Sequence, residues 1–512
     1  MSRTQNAIKN AFFGILSKII NLIFAFASRT IFIYVLGNTY LGVNGLYSEI
    51  LNLLSFAELG FGTAMTFSMY KPVANDNKKK VVQLLNFYKR IYTIIAFAIA
   101  GLGLFLTPFL GNIVKGADWL SNSELIVFFL IYLFNTFIGY FVTYKFTYLN
   151  ALQKNYIQTN IDTVVTAISY ISQIIVIIAF KSFLGYLLIN SAILLISRLF
   201  IIFYLDEKYP ILCQRTKISL AKKEKKNIYK EVKGLAVHQF ASVAVHSTDN
   251  ILISTLTKQG VTAVGLISNY NMIMNSVLGF VTTLFSSVTS GFGNLVASST
   301  TENFRKVFKE INFANFWIYG FCSIAFWNLI PPFITLWIGA DKVVDNVAFT
   351  LIIINCYLQG QSTAYNNARI AKGNFNKDKG WAIAQAVTNL VVSVVAAKAY
   401  GLVGIYIGTV VSRLVYVVFR PFSTYKFLFH ESSIEYYKTL IIYLLETIIA
   451  AILTKICITN FIHKTTLLTF VYMTLMVAMI PNVIFLFLNF RTVEFMAWKN
   501  RMFLVVKRRR NK

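Results

Sequence analysis

Residues 158–208 read QTNIDTVVTAISYISQIIVIIAFKSFLGYLLINSAILLISRLFIIFYLDEK. Two apolar runs, 158–180 and 184–205, each match the length that a bilayer's hydrocarbon core requires, and a short turn at Lys181-Ser182 joins them. The only formal charges inside the two runs are Asp162 and Arg198. An amphipathic helix of a soluble protein keeps one polar face, whereas these runs are apolar nearly all round. They therefore read as two membrane helices connected back to back. Their length excludes membrane strands, which need only about ten alternating residues.

The same pattern extends through the rest of the 512 residues. Four spans precede the pair, near 10–35, 43–69, 90–113 and 123–150. Eight follow it, near 235–257, 262–296, 311–338, 347–371, 380–398, 402–420, 437–456 and 466–489. The composition agrees, with 56% hydrophobic and only 13% charged residues. With 46 Phe and 28 Tyr, the chain has more apolar side chain than a soluble core would hide. The expected fold is an all-α polytopic membrane protein of about fourteen helices.

Charge orients it. With the N-terminus inside, 37 basic residues fall in cytoplasmic segments and seven outside: Lys115, Lys181, Lys258, Lys342, Lys398, Lys455 and Lys464. That asymmetry predicts an N-in, C-in topology. The net charge of +28 then belongs to loops facing anionic headgroups, and nucleic acid is not an expected partner. The Lys507-Arg508-Arg509-Arg510 run has the same reading. Cys213, Cys322, Cys356 and Cys457 show neither metal spacing nor paired outer positions. The first span lacks the short core and cleavage site of a signal peptide and is expected to stay in the mature chain.

The most charged interior segment divides the chain. The expected organisation is an N-lobe at 1–206, a basic cytoplasmic linker at 207–233, a C-lobe at 234–421, and a final helix pair with a basic tail at 422–512. Sliding the first lobe by 220 residues sets Gly45-Leu46 on Gly265-Leu266 and Ser48 on Ser268, with Lys18 on His238 and Arg29 on Asp249. A duplicated six-span unit explains this. Six is even, so the copies enter the membrane with the same orientation, as parallel repeats. Two such lobes enclose a cavity, which reads as a transporter.

Polar residues at membrane depth are the candidate site. Lys18, Asn21 and Arg29 return to nearly one face of the first span. A charge at the helix midpoint costs about 2.5–3.5 kcal/mol unless it is paired, snorkels or meets water. Glu49 is a potential ion-pair partner for Arg29, and the alternative is a cationic stripe facing an anionic head. His246 and Asp249 in span seven, Asn269 in span eight and Arg198 in span six complete the candidate binding set. Asn355, Asn366 and their neighbours in span ten add to a wet-looking second lobe, and Glu58, Asp162 and Arg413 are weaker candidates. Asp249, one turn from His246, is the candidate for coupling to H+ or Na+. No other cofactor and no metal is expected. Phosphate-loop, nucleophile-elbow, metalloprotease and dinucleotide motifs are all missing, and the outer loops hold no acid–base cluster, so no enzyme is expected.

Resemblance adds a cargo. Asn10-Ala11, Arg29-Thr30-Ile31, Val35-Leu36-Gly37, Leu41-Gly42-Val43-Asn44-Gly45-Leu46-Tyr47 and Glu58-Leu59-Gly60-Phe61-Gly62 open the chain in a recognisable way. Together with Asp249-Asn250-Ile251-Leu252-Ile253 and Gly265-Leu266, they resemble the polysaccharide biosynthesis family of lipid-linked oligosaccharide flippases, of the O-antigen and capsule repeat-unit type. That family belongs to the multidrug/oligosaccharidyl-lipid/polysaccharide exporter superfamily. The resemblance implies two six-helix lobes in a V around a central cavity. It also implies translocation of an undecaprenyl-pyrophosphate-linked repeat unit across the bacterial cytoplasmic membrane, from inner to outer leaflet, with membrane lipids and glycan polymerase or assembly machinery as partners. Lys18 and Arg29 match the family's basic cavity positions, and the final helix pair matches the lipid-facing pair of peptidoglycan-precursor flippases. Span eight departs from those relatives by having no basic residue. A multidrug exporter of organic cations is the main rival, which would favour an aromatic cavity with acidic groups. A membrane glycosyltransferase or polymerase is the second.

Overall fold

The computed structural model describes residues 3–58, 61–216, 218–298, 300–372 and 379–500, and leaves out certain side chains within them, His246 among these. The described residues form an all-α, multi-pass membrane bundle with no strand. Sixteen helices account for nearly all of it: α1 (Arg3–Leu54), α2 (Phe61–Ala74), α3 (Lys78–Leu106), α4 (Leu110–Ile113), α5 (Asn122–Ala151), α6 (Asn155–Phe180), α7 (Phe183–Lys208), α8 (Lys222–Leu256), α9 (Val261–Ser298), α10 (Thr301–Ile338), α11 (Asn346–Gln361), α12 (Thr363–Ala371), α13 (Lys379–Tyr400), α14 (Leu402–Phe429), α15 (Ile434–Phe461) and α16 (Leu467–Asn489).

Eleven described helices are long and apolar enough to cross a membrane. The difference from fourteen has three physical causes. The first two spans form one helical run, α1, bent at Gly37 (φ 83°), where only a residue without Cβ adopts that backbone cheaply. Span seven, in α8, is too polar to qualify, and span ten divides at Ser362 into the short helices α11 and α12. The second span also breaks earlier than expected, in a 3₁₀ turn at Ser55–Glu58.

The stretch that decides the fold behaves as read. Lys181 ends α6 in the left-handed conformation (φ 49°), and the Ser182 hydroxyl accepts the Gly185 N–H at 3.1 Å to start α7. Helix boundaries recur about 220 residues later. Helices α6 and α7 correspond to α13 and α14, α5 to α11 with α12, and the first part of α1 to α8. The bend at Gly37 has its counterpart in the break between α8 and α9. In the second copy, small residues let α13 and α14 pack backbone to backbone. Ser393 Oγ donates to the Ile405 carbonyl at 3.0 Å, and a Cβ on Gly404 would lie 2.2 Å from the Ala396 oxygen.

By packing, the chain forms two compact units, residues 1–268 and 269–512. The first comprises α1 to α8 and the opening of α9. The expected basic linker, 207–233, is already helical from Lys222. Its Lys and Glu residues are good helix formers, Glu224 sits in the first turn, and Ile228 and Val232 are buried. In the second unit, α10 packs against α15 and α16 through Phe313, Phe316, Tyr443 and Phe485.

Candidate functional site

Arg29 lies on α1, half-buried, eight residues before the bend. One Nη donates to the Ser268 hydroxyl at 2.9 Å. The phenols of Tyr186, Tyr170 and Tyr132 are within electrostatic range. No carboxylate partners it among the described residues. Its remaining N–H groups are not sealed from solvent, unlike the Nε of Arg198, which is buried without a hydrogen bond. The result is a guanidinium at membrane depth with several donors still available in an aromatic and hydroxyl setting.

The expected Arg29–Glu49 ion pair does not form among the described residues. Twenty residues and the Gly37 bend separate them, and Glu49 Oε2 instead accepts from the Ser247 hydroxyl of α8 at 2.7 Å. Asn21 also has a local role. Its amide donates to Ser17 Oγ at 3.3 Å, Ser17 Oγ accepts from Thr163 of α6 at 2.6 Å, and the Asn21 carbonyl oxygen is buried without a hydrogen bond. Lys18 is half-buried on the same helix. Asp249 is half-buried on α8 with one carboxylate oxygen shielded, and Asn269 is fully buried on α9. The His246 side chain lies outside the described residues, so its spacing to Asp249 stays a matter of sequence.

The span-ten amides expected to wet the second lobe are partly committed to structure. Asn355 Oδ1 accepts from Arg413 Nε at 3.1 Å, and Asn366 Oδ1 accepts from Arg420 at 2.7 Å. Arg420 also stacks on Tyr416, 4.2 Å from the ring centre. Arg413 is thus a buried packing residue held by an amide.

Arg198 has a different setting. It lines a cavity of about 720 Å3 within the first unit, formed by α2, α5, α6 and α7 with Tyr92 of α3. Asp162 of α6 is its charged neighbour, and Glu58 lines the same chamber with Tyr140. Amides and hydroxyls dominate the remaining wall: Asn150, Asn155, Gln158 and Thr143 are examples. Tyr70 lines both this chamber and a second cavity of about 820 Å3, whose lining includes Lys154 and Lys208. Both lysines face tyrosines. Lys154 Nζ lies 5.2 Å from the Tyr209 ring centre, and Lys208 Nζ lies 4.9 Å from that of Tyr204.

Apart from Arg198, Asp162 and Glu58, these cavity residues went unremarked in the sequence. A signal was present. Positions 143, 147 and 150 on α5, and 155, 158 and 162 on α6, are polar at helical spacing within otherwise apolar runs.

No family model matches the chain, and no curated protein matches it by sequence. Solved structures do. The lipid II flippase MurJ, in an inward closed conformation, has a TM-score of 0.67 at 13% identity, covering 94% of this chain and 98% of that one. An inward-facing multidrug resistance MATE family transporter of the MOP superfamily gives 0.60 at 16% identity, over 80% of this chain and 96% of its own. The Vibrio cholerae MATE transporter VcmN gives 0.56 at 13% identity, over 84% and 98%. The chain therefore shares the fold of this superfamily.

Proposed function

We propose that this protein is a non-catalytic alternating-access transporter, and that its cargo is a lipid-linked glycan carrying a phosphate or pyrophosphate, moved from the inner to the outer leaflet. The observation that carries the reading is Arg29. A guanidinium at membrane depth, held by one serine and ringed by tyrosines, is costly unless it meets water or an anion. A pyrophosphate satisfies its fork of donors, while a polyprenyl tail stays in lipid. A polar interior replaces the water that a sugar head would lose in hydrocarbon. The likeness to the lipid II flippase, which extends over more of this chain than the MATE likenesses do, supports the same reading. Lys18 extends the basic stripe toward the cytoplasm, and Asp249 remains the proposed ion-coupling residue.

One observation favours export of organic cations instead. The chamber beside Arg198 contains Glu58 and Asp162 among Tyr70, Tyr92 and Tyr140, an acidic and aromatic lining suited to a cation. The MATE likenesses support this second reading. Flipping of a polyprenyl-pyrophosphate glycan in proteoliposomes tests the first. The expected result is movement by the wild type, a loss of at least about tenfold in Arg29→Ala, corresponding to about 1.4 kcal/mol, and partial recovery in Arg29→Lys. Equal rates for Arg29→Ala and wild type would remove the assigned role.

A further inference from the structure

The two cavities of the first unit that share Tyr70 have a chemistry that the Arg29 site does not use. The outer one has two lysines on its rim, Lys154 and Lys208, and no carboxylate among its lining residues. Each ammonium has a tyrosine as its neighbour, and neither has an ion pair among the described residues. The inner one is lined by groups that bond to hydroxyls. Asn150 and Gln158 offer both donors and acceptors, and Asp162 and Glu58 accept. Arg198, beside Asp162, offsets one of the two negative charges. Ten residues of α7, about 15 Å of helix, separate Arg198 from Lys208, and Tyr70 lines both cavities, so the two lie along the same helix as neighbours. Each volume lies in the range of small-ligand clefts, about 300–1,000 Å3.

We infer that the two neighbouring cavities act together as a sugar-phosphate site, in which Lys154 and Lys208 hold the phosphate in one and the amide and carboxylate wall of the other holds the sugar hydroxyls. It rests on the proposed function, because it supplies the cytoplasmic station where the cargo's head is recognised before translocation. An organic cation would find the lysine rim repulsive, whereas a neutral sugar would gain nothing from it. A soluble sugar phosphate and a lipid-linked one present the same phosphate group.

Full-length protein with Cys213→Ser and Thr143→Cys, in zwitterionic nanodiscs, reports on the inner chamber through the rate of maleimide labelling. Glucose 1-phosphate, glucose and inorganic phosphate are the soluble probes, and a short-chain prenyl-phosphoryl glucose placed in the nanodisc is the lipid-linked one. The expected result is that glucose 1-phosphate slows labelling at concentrations at least about tenfold lower than glucose or inorganic phosphate do, in line with added charge-assisted bonds. Lys154→Gln with Lys208→Gln brings its curve onto that of glucose, and Gln158→Ala weakens glucose and glucose 1-phosphate together. Protection by none of the probes, or by all of them alike, overturns the site even if flipping is intact. Protection by the soluble sugar phosphate without protection by the prenyl-linked one upholds the site and contradicts the flippase reading.

Discussion

Lys145 shows how differently single charges in this protein are used. It is 2% exposed on α5 and forms an ion pair with Asp206 at the end of α7. Removing one member of a buried pair strands the other, a loss on the order of 3–5 kcal/mol where both are fully buried. Asp206 is partly exposed, so the lower end applies. Lys145→Ala is expected to lower the thermal midpoint in detergent by several degrees, and Lys145→Met with Asp206→Leu to recover most of it. An unchanged midpoint in Lys145→Ala would contradict the pairing. Arg29, by contrast, has no carboxylate among its described neighbours, and its substitution should alter transport more than folding. Sequence alone marked Arg29 and Arg198 as charges at depth, because charge within an apolar run is visible there. It did not reveal that Arg413 and Arg420 are tied down by Asn355 and Asn366, because those partners lie 58 and 54 residues away along the chain. The Arg29–Glu49 expectation failed for a different reason. A bend at one glycine redirected half a helix.

At the scale of elements, the outer end of the first unit is a close crossing of α1 with the opening of α9. A Cβ on Gly42 would lie 1.7 Å from the Val261 oxygen, and one on Gly265 would lie 2.0 Å from the Asn38 oxygen. The Thr39 and Thr262 hydroxyls are 3.0 Å apart, and the Val261 N–H donates to the Lys115 carbonyl at 2.7 Å. Glycine at both crossing points lets backbone meet backbone, the packing that small residues permit between membrane helices. A Thr39→Cys, Thr262→Cys pair is expected to cross-link readily under mild oxidation. Adding Gly265→Ala should cut the cross-linked fraction severalfold, since no side chain stands in the way that could simply rotate aside. Cross-linking that is indifferent to Gly265→Ala would show that the crossing tolerates a methyl group. The helices themselves were legible, as the match of 158–180 and 184–205 to α6 and α7 shows. Their breaks were less so. Hydropathy does not register a bend such as Gly37, and it passes smoothly over Ser362, where span ten divides.

At the scale of the whole molecule, the chain repeats its helix boundaries at an interval near 220 residues. Length and hydropathy carried that much without coordinates, because the bilayer imposes them on every span. The two cavities of the first unit were not legible as such. Their walls come from helices distant in sequence, and a polar residue on a membrane helix looks the same whether it binds a neighbour or lines a cleft. Likeness to both a flippase and multidrug transporters leaves the fold common to two kinds of cargo, so the charge of the cargo is the quantity to measure. In oriented proteoliposomes, a polyprenyl glycan linked through pyrophosphate can be compared with the same glycan on a neutral linker, alongside efflux of an organic cation. The pyrophosphate compound should move at least about tenfold faster than the neutral one, Arg29→Ala should erase that difference, and the cation should not be transported. Equal movement of the two glycans, or efflux of the cation in their place, would contradict the account.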